Sequence, residues 1–244
     1  MPTATHRIAL VTGGNKGIGF EVARQIGKTG YRILLGARDA GRGEAAAAQL
    51  RTDGIDARFI RIDLDDPASI TAAAQTIARE GGRLDVLVNN AGIVDRSDGS
   101  PGSASVAAVR RVFETNFFGT LAVTQAMLPF LRESQSARIV NVSSGLGSLA
   151  RHADPNWRFA GTKVLGYSAS KTALNMLTVQ LAAELKGSGI KVNSAEPGFT
   201  ATDLNNNRGT QTVAEGAAST VRLALLPDDG PTGGIFSATG PEPW

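Results

Sequence analysis

Short runs rich in Val, Ile and Leu recur along the chain, separated by longer, Ala-rich stretches with the spacing of helices. The runs are RIALVT (7–12), YRILLG (31–36), ARFIRI (57–62), LDVLVN (84–89), ARIVNV (137–142), IKVNSA (190–195) and GGIFSA (233–238). Consecutive side chains of a strand point to opposite faces, so a continuous apolar run predicts a strand covered on both sides. Seven such strands alternating with helices predict parallel pairing through crossover helices. The expected fold is α/β: a seven-stranded, mostly parallel, doubly wound sheet flanked by helices.

Local signals agree with that reading. Asp66-Pro67 has the form of a helix N-cap followed by proline at the first helical position, and Thr212-Val-Ala-Glu215 that of a capping box. No linker or repeat interrupts the pattern, so one domain is expected over residues 1–244. Two segments carry no clear periodicity: residues 145–166 and the Asn-rich TATDLNNNRG at 200–209. Both follow strand ends, where doubly wound sheets bind their ligands, so 145–166 is expected to be a substrate loop and 198–210 a lid.

Composition narrows the classes. The chain has 244 residues, no cysteine, and two histidines, His6 and His152, so disulfides and Cys- or His-rich metal sites are not expected. Its net charge of +3 is spread along the sequence without a polybasic tail, which argues against a nucleic-acid partner. The N-terminal MPTATHRIALVTGG lacks the pattern of a signal peptide, and no apolar stretch reaches membrane-spanning length. A cytoplasmic protein with no membrane partner is expected.

The first strand runs into TGGNKGIG, with Gly13, Gly17 and Gly19 ahead of a helix starting near Ile18. Glycines there allow a sharp turn and close approach of backbone to a pyrophosphate, which then sits at the positive helix N-terminus. In a strand-turn-helix context this predicts a Rossmann-type dinucleotide site. The second strand ends in GARD, where NAD-binding sites commonly carry an acid for the ribose. Arg38, with Lys16 from the glycine loop, would instead hold a 2′-phosphate, which points to NADP(H). Two alternatives stay open: Arg38 pairs with Asp39 at the surface, or Asp39 turns in to bind NAD.

Tyr167 lies four positions ahead of Lys171 in GYSASKTALNML, so on a helix the two side chains meet. That spacing alone does not separate chemistry from packing. In order along the chain, however, stand TGGNKGIG, Asp63-Leu64, Asn89-Asn90-Ala91-Gly92, Asn116 in TNFFG, Ser144 in NVSSG, Tyr167 with Lys171, and Pro197-Gly198. This series resembles the short-chain dehydrogenase/reductase family over nearly the whole chain. GGNKGIG, ARD and LALLP look most like the NADPH-dependent, monomeric carbonyl reductases and their bacterial relatives.

The resemblance implies a mechanism. Tyr167 would protonate the oxygen of a ketone or aldehyde as the nicotinamide delivers hydride to its carbon. Moving a phenol from a pKa near ~10 to ~7 takes about 4 kcal/mol. An ammonium on Lys171 at ~4 Å supplies on the order of 4 kcal/mol at an effective dielectric of ~20. Lys171 would also bind the nicotinamide ribose, Ser144 (rather than Ser143) the carbonyl oxygen, and Asn116 backbone and a water on a proton path. The same resemblance assigns Gly13, Asn15, Lys16, Gly17, Ile18, Gly19, Arg38, Asp63, Leu64, Asn90, Ala91, Gly92, Tyr167, Lys171, Pro197, Gly198 and Thr200 to the cofactor.

One departure bears on substrate and assembly. Tyr167 follows Ser144 by 23 positions, more than in many family members and fewer than in animal carbonyl reductases. Trp157 and Phe159 in this segment either line an apolar substrate pocket or anchor a surface loop. Phe199, Thr200, Thr202 and Leu204 are expected on the lid side, with Ser144, Trp157, Phe159, Phe199 and Leu204 as candidate substrate contacts. His152 is expected in solvent. Glu196 either points into the site, favouring a polar or cationic substrate, or faces water. Monomer or homo-oligomer stays undecided.

Overall fold

The computed structural model describes residues 7–244, so His6 and the start of the N-terminal segment lie outside the described residues. Strands β1 (Ile8–Thr12), β2 (Arg32–Ala37), β3 (Ala57–Arg61), β4 (Val86–Asn89), β5 (Arg138–Val142), β6 (Lys191–Ala195) and β7 (Ile235–Phe236) fall within the predicted runs, except that β2 ends one residue later. They form one sheet in the order β3-β2-β1-β4-β5-β6-β7, every pair parallel. This is the doubly wound Rossmann arrangement, whose direction of winding reverses between β1 and β4. β7 is shorter than its predicted run; ahead of it the Asn193 amide donates to Pro231 O and accepts from Gly234 N–H.

The helices are α1 (Gly17–Lys28), α2 (Ala40–Thr52), α3 (Pro67–Arg79), α4 (Val106–Phe113), α5 (Thr120–Arg132), α6 (Leu149–Ala153), α7 (Leu165–Glu184) and α8 (Val213–Ala224). Strand register explains how they are held. Leu34, Leu10, Leu87, Ile139 and Val192 lie in one row across five strands. All five are buried with residues of α3, α5 and α7, including Ile70, Met127 and Leu181. One step along, Leu35, Val11, Val88 and Val140 form the next row, facing Val22 and Ile26 of α1, Leu50 of α2 and Leu223 of α8. Successive rows thus bury opposite faces, as strand periodicity requires.

Both predicted caps form. Asp66 accepts from the N–H groups of Ala68 and Ser69 with Pro67 at the first helical position, and Thr212 and Glu215 make the reciprocal capping box. Among the described residues no helix is long and apolar enough to cross a membrane.

Candidate active site

At the switch point the turn after β1 meets the turn after β4. Gly13 and Gly17 have positive φ, 62° and 55°. A Cβ on Gly13 would lie 2.9 Å from the Ala91 backbone, and one on Gly19 would lie 2.3 Å from the Asn90 amide nitrogen. The missing side chains let Asn90 reach in and donate to Thr12 O and Gly13 O, while the Thr12 hydroxyl accepts from the N–H groups of Asn90 and Ala91. The N-cap of α1, Lys16, makes no capping bond. Side chains do cap α2, α3, α4 and α8. The first N–H groups of α1 are therefore left for an anion, and the glycine cradle leaves room beside them. These residues fit a dinucleotide.

At the end of β2, Asp39 is occupied as the N-cap of α2: it accepts from Arg42 N–H at 2.8 Å and lies 3.5 Å from the Arg42 guanidinium. Arg38 is exposed and, among the described residues, makes neither hydrogen bond nor ion pair. The structure thus favours neither alternative read from GARD. Lys16, expected beside Arg38, instead binds Asp203 at 2.7 Å and ties the glycine loop to the 198–210 segment. Leu64 at the end of β3 is buried, its backbone oxygen 2.5 Å from where a Cβ on Gly119 would lie. Asp63 sits in the same turn and accepts from Asp65 N–H.

α7 carries Tyr167 and Lys171 one turn apart, and Lys171 Nζ lies 5.7 Å from the centre of the Tyr167 ring. Its own N-cap, Val164, offers no side-chain acceptor. Asp98 supplies one from a distant loop: its two carboxylate oxygens accept from Gly166 N–H and Tyr167 N–H, each at 2.9 Å. No sequence signal marked Asp98, because a cap given from another segment has no fixed spacing.

Asn116, fully buried, lies on a π-helical turn (Glu114–Gly119) between α4 and α5 and not in a regular α-helix. Its amide brackets Ile93, accepting from the N–H at 2.8 Å and donating to the carbonyl at 3.0 Å, and donates to Ser170 Oγ. Gly92 has no side chain where Asn116 Oδ1 and Lys171 Nζ converge, 3.3 and 3.6 Å from a Cβ position. A π-turn re-aims one side chain relative to α-helical spacing, and such turns recur at functional sites.

The paired serines have different surroundings. Ser143 is buried and donates to Asn175 Oδ1 at 2.6 Å. Ser144 is half-buried and accepts from Leu146 N–H, with its hydroxyl near the Tyr167 phenol. Burial pushes that phenol up to about 12; the Ser144 hydroxyl pulls it down and the Glu196 carboxylate pushes it up. Burial also lowers Lys171 to about 8, and its Nζ donates to Val142 O at 2.7 Å. Lys171, expected to supply much of the pull of Tyr167 toward neutrality, points its ammonium at the Val142 carbonyl, and burial sets the direction of the Tyr167 shift.

Residues 145–166 fold over the sheet end as a short 3₁₀ turn, α6 and a loop. Trp157, Phe159 and Phe199 pack edge to face, with centroids 5.6 and 5.4 Å apart. They line a cavity of about 310 Å³ together with Arg151, Glu196 and Gln211. The cavity adjoins the Ser144–Tyr167 pair, since Glu196 accepts from Gly145 N–H at 3.3 Å. Leu204 does not line it and is exposed on the lid. His152 is not in solvent as expected: its Nε2 is 3.0 Å from Leu146 O and its ring packs on Trp157. Pro197 O accepts from Thr200 Oγ1, and Gly198, at φ 74°, leaves room for the Gln211 amide.

A glycine cradle at the switch point of a parallel sheet, next to a Ser-Tyr-Lys cluster and an aromatic cavity, defines an oxidoreductase of the nicotinamide-dependent class. The model of the short chain dehydrogenase family matches residues 7–212, and the chain belongs to that family. It is 39% identical over 230 residues to a short-chain dehydrogenase of Penicillium roqueforti (strain FM164), covering 92% of this chain and 90% of that one. It is 37% identical over 259 residues to carbonyl reductase (NADPH) 3 of Mus musculus, covering 91% and 92%. Among solved structures, an NADPH-bound carbonyl reductase from chicken fatty liver superposes with a TM-score of 0.85 at 27% identity, covering 98% of this chain and 99% of that one.

Proposed function

We propose that the protein is an NADPH-dependent carbonyl reductase that converts a ketone or aldehyde to an alcohol. The observation that carries the reading is the cluster of Ser144, Tyr167 and Lys171, with Lys171 Nζ 5.7 Å from the centre of the Tyr167 ring one helical turn away, beside the glycine cradle. When bound, NADPH supplies a hydride to the carbonyl carbon. Tyr167 gives its proton to the carbonyl oxygen, and Ser144 orients that oxygen and stabilises the charge developing on it. Lys171 holds positive charge beside the phenol and reaches the ribose side. Asn116 fixes the Ile93 backbone, next to Gly92, where Lys171 Nζ lies close by.

The choice of NADPH rests on Arg38, exposed at the end of β2 without a partner among the described residues, and on Asp39, committed to capping α2. A guanidinium matches a phosphate bidentately, whereas the acid that would serve the ribose of NAD is already engaged. The reading keeps the cysteine-free chain in the cytosol, acting on a small carbonyl compound. It is tested by following reduced-nicotinamide absorbance with NADPH and NADH over a panel of ketones, aldehydes and quinones. Binding of NADPH without turnover on any of them would favour a cofactor-sensing protein.

A further inference from the structure

The wall of the aromatic cavity carries a carboxylate without an ion-pair partner among the described residues, and an amide oxygen without a donor. Glu196 follows β6 directly, and its backbone is pinned on both sides: its N–H donates to Phe236 O at 2.8 Å and its carbonyl accepts from Ser219 Oγ at 3.1 Å. The side chain is thereby aimed at the cavity. Oε1 is 3.3 Å from Gly145 N, and the carboxylate has no ion-pair partner among the described residues. Gln211, on the same wall, buries its Oε1 without a hydrogen-bond donor. Buried acceptors without donors are uncommon and costly.

Two cations also line the cavity, Arg151 and Arg158. Arg151 pairs with Glu242 and lies over the Trp157 ring at 5.9 Å. Arg158 is exposed and lies over Phe159 at 4.5 Å. Glu196 thus stands beside the aromatic rings with no ion-pair partner among the described residues, a combination that attracts an organic cation by both charge and ring faces.

Resting on the carbonyl-reductase reading, we propose that Glu196 makes this site selective for carbonyl compounds that carry a positively charged amine. The ammonium sits against Glu196 and Gln211 Oε1, and the apolar body of the substrate lies on Trp157, Phe159 and Phe199. Keto acids are rejected by the same carboxylate. Glu196 is thus a specificity residue and takes no part in the hydride or proton transfer.

The test uses three para-substituted acetophenones of similar shape: the trimethylammonio compound, its uncharged tert-butyl isostere, and the carboxylate. The expected order of kcat/KM is cation, neutral, anion, with about tenfold between the first two, as one desolvated charge contact gives. In Glu196→Gln, which keeps an acceptor for Gly145 N–H, the cation-to-neutral ratio should fall to near one. Glu196→Asp should retain part of the preference, separating lost charge from lost structure. Equal rates for the first two in the wild type, or an unchanged ratio in Glu196→Gln, would overturn the proposal. If none of the three is reduced, the carbonyl-reductase reading fails instead, and the charge preference is still decided by binding. Phenyltrimethylammonium should then quench Trp157 fluorescence, in a Trp244→Phe background, more tightly in wild type than in Glu196→Gln. Equal quenching would sink it.

Discussion

The carboxylate of Asp98 accepts from the backbone N–H of Tyr167 at 2.9 Å, so the helix that carries the proposed acid is capped from a loop 69 residues earlier in the chain. With its other oxygen on Gly166 N–H, Asp98 satisfies two of the donors that the α7 terminus leaves open. It sets where the first turn begins, and with it the direction of the Tyr167 ring. Asp98→Ala should cost about 1 kcal/mol of stability, typical of a lost cap, and lower kcat more than it raises KM. Asp98→Asn should recover most of both. Thermal melts alongside steady-state kinetics check this; full activity in the alanine variant would remove Asp98 from the positioning of Tyr167.

The adjacent serines should separate cleanly. Ser143→Ala strands the buried Asn175 Oδ1 and should destabilise the fold by about 1–3 kcal/mol. Ser144→Ala should leave unfolding nearly unchanged but reduce kcat/KM by about 100-fold, the scale of one lost donor to a developing oxyanion. Denaturant unfolding and ketone reduction, measured on both variants, would show the reverse pattern if the roles were exchanged.

The cofactor side makes a directional prediction about Lys16. Its ion pair with Asp203 competes with any phosphate for the same ammonium, so Asp203→Ala should strengthen NADPH binding a few-fold and leave NADH binding as it was. Arg38→Ala should weaken NADPH selectively. Titration of cofactor fluorescence with both nucleotides reads these effects, and equal changes for the two would contradict a 2′-phosphate site.

Dependence on pH follows from the two shifted groups. Lys171, held at about 8, loses its charge above that value, so reductive kcat/KM should fall as pH rises through it. Oxidation of an alcohol needs the phenolate of Tyr167, whose value of about 12 makes that rate climb steadily into the alkaline range. The Glu196 carboxylate favours the neutral phenol by repelling the phenolate. Its removal in Glu196→Gln should therefore lower the Tyr167 value and move the oxidative limb to lower pH. Rate profiles in both directions test the sign.

What the sequence made legible was whatever depends on local spacing. Apolar runs placed the seven strands, Asp66-Pro67 and Thr212–Glu215 announced their caps, and the glycine loop predicted the turn in which Gly13 and Gly17 take positive φ. The four-residue interval brought Tyr167 and Lys171 together. Contacts made across the fold left no such trace. Asp98 reaches α7 from another loop, Lys16 finds Asp203 far along the chain, and His152 folds back onto Leu146. The π-turn at Asn116 also escaped detection, since one extra residue in a helix barely alters its apolar period. The side-chain direction of Glu196 could not be read either, because bonds from β7 and α8 fix it.

The most direct test of the account is NADPH oxidation by the wild type and Tyr167→Phe, assayed with the ketone panel and paired with NADPH binding on both. The account predicts turnover in the wild type, a loss of at least about 100-fold in the variant, and near-equal cofactor affinity. Turnover in Tyr167→Phe at the wild-type rate would contradict it.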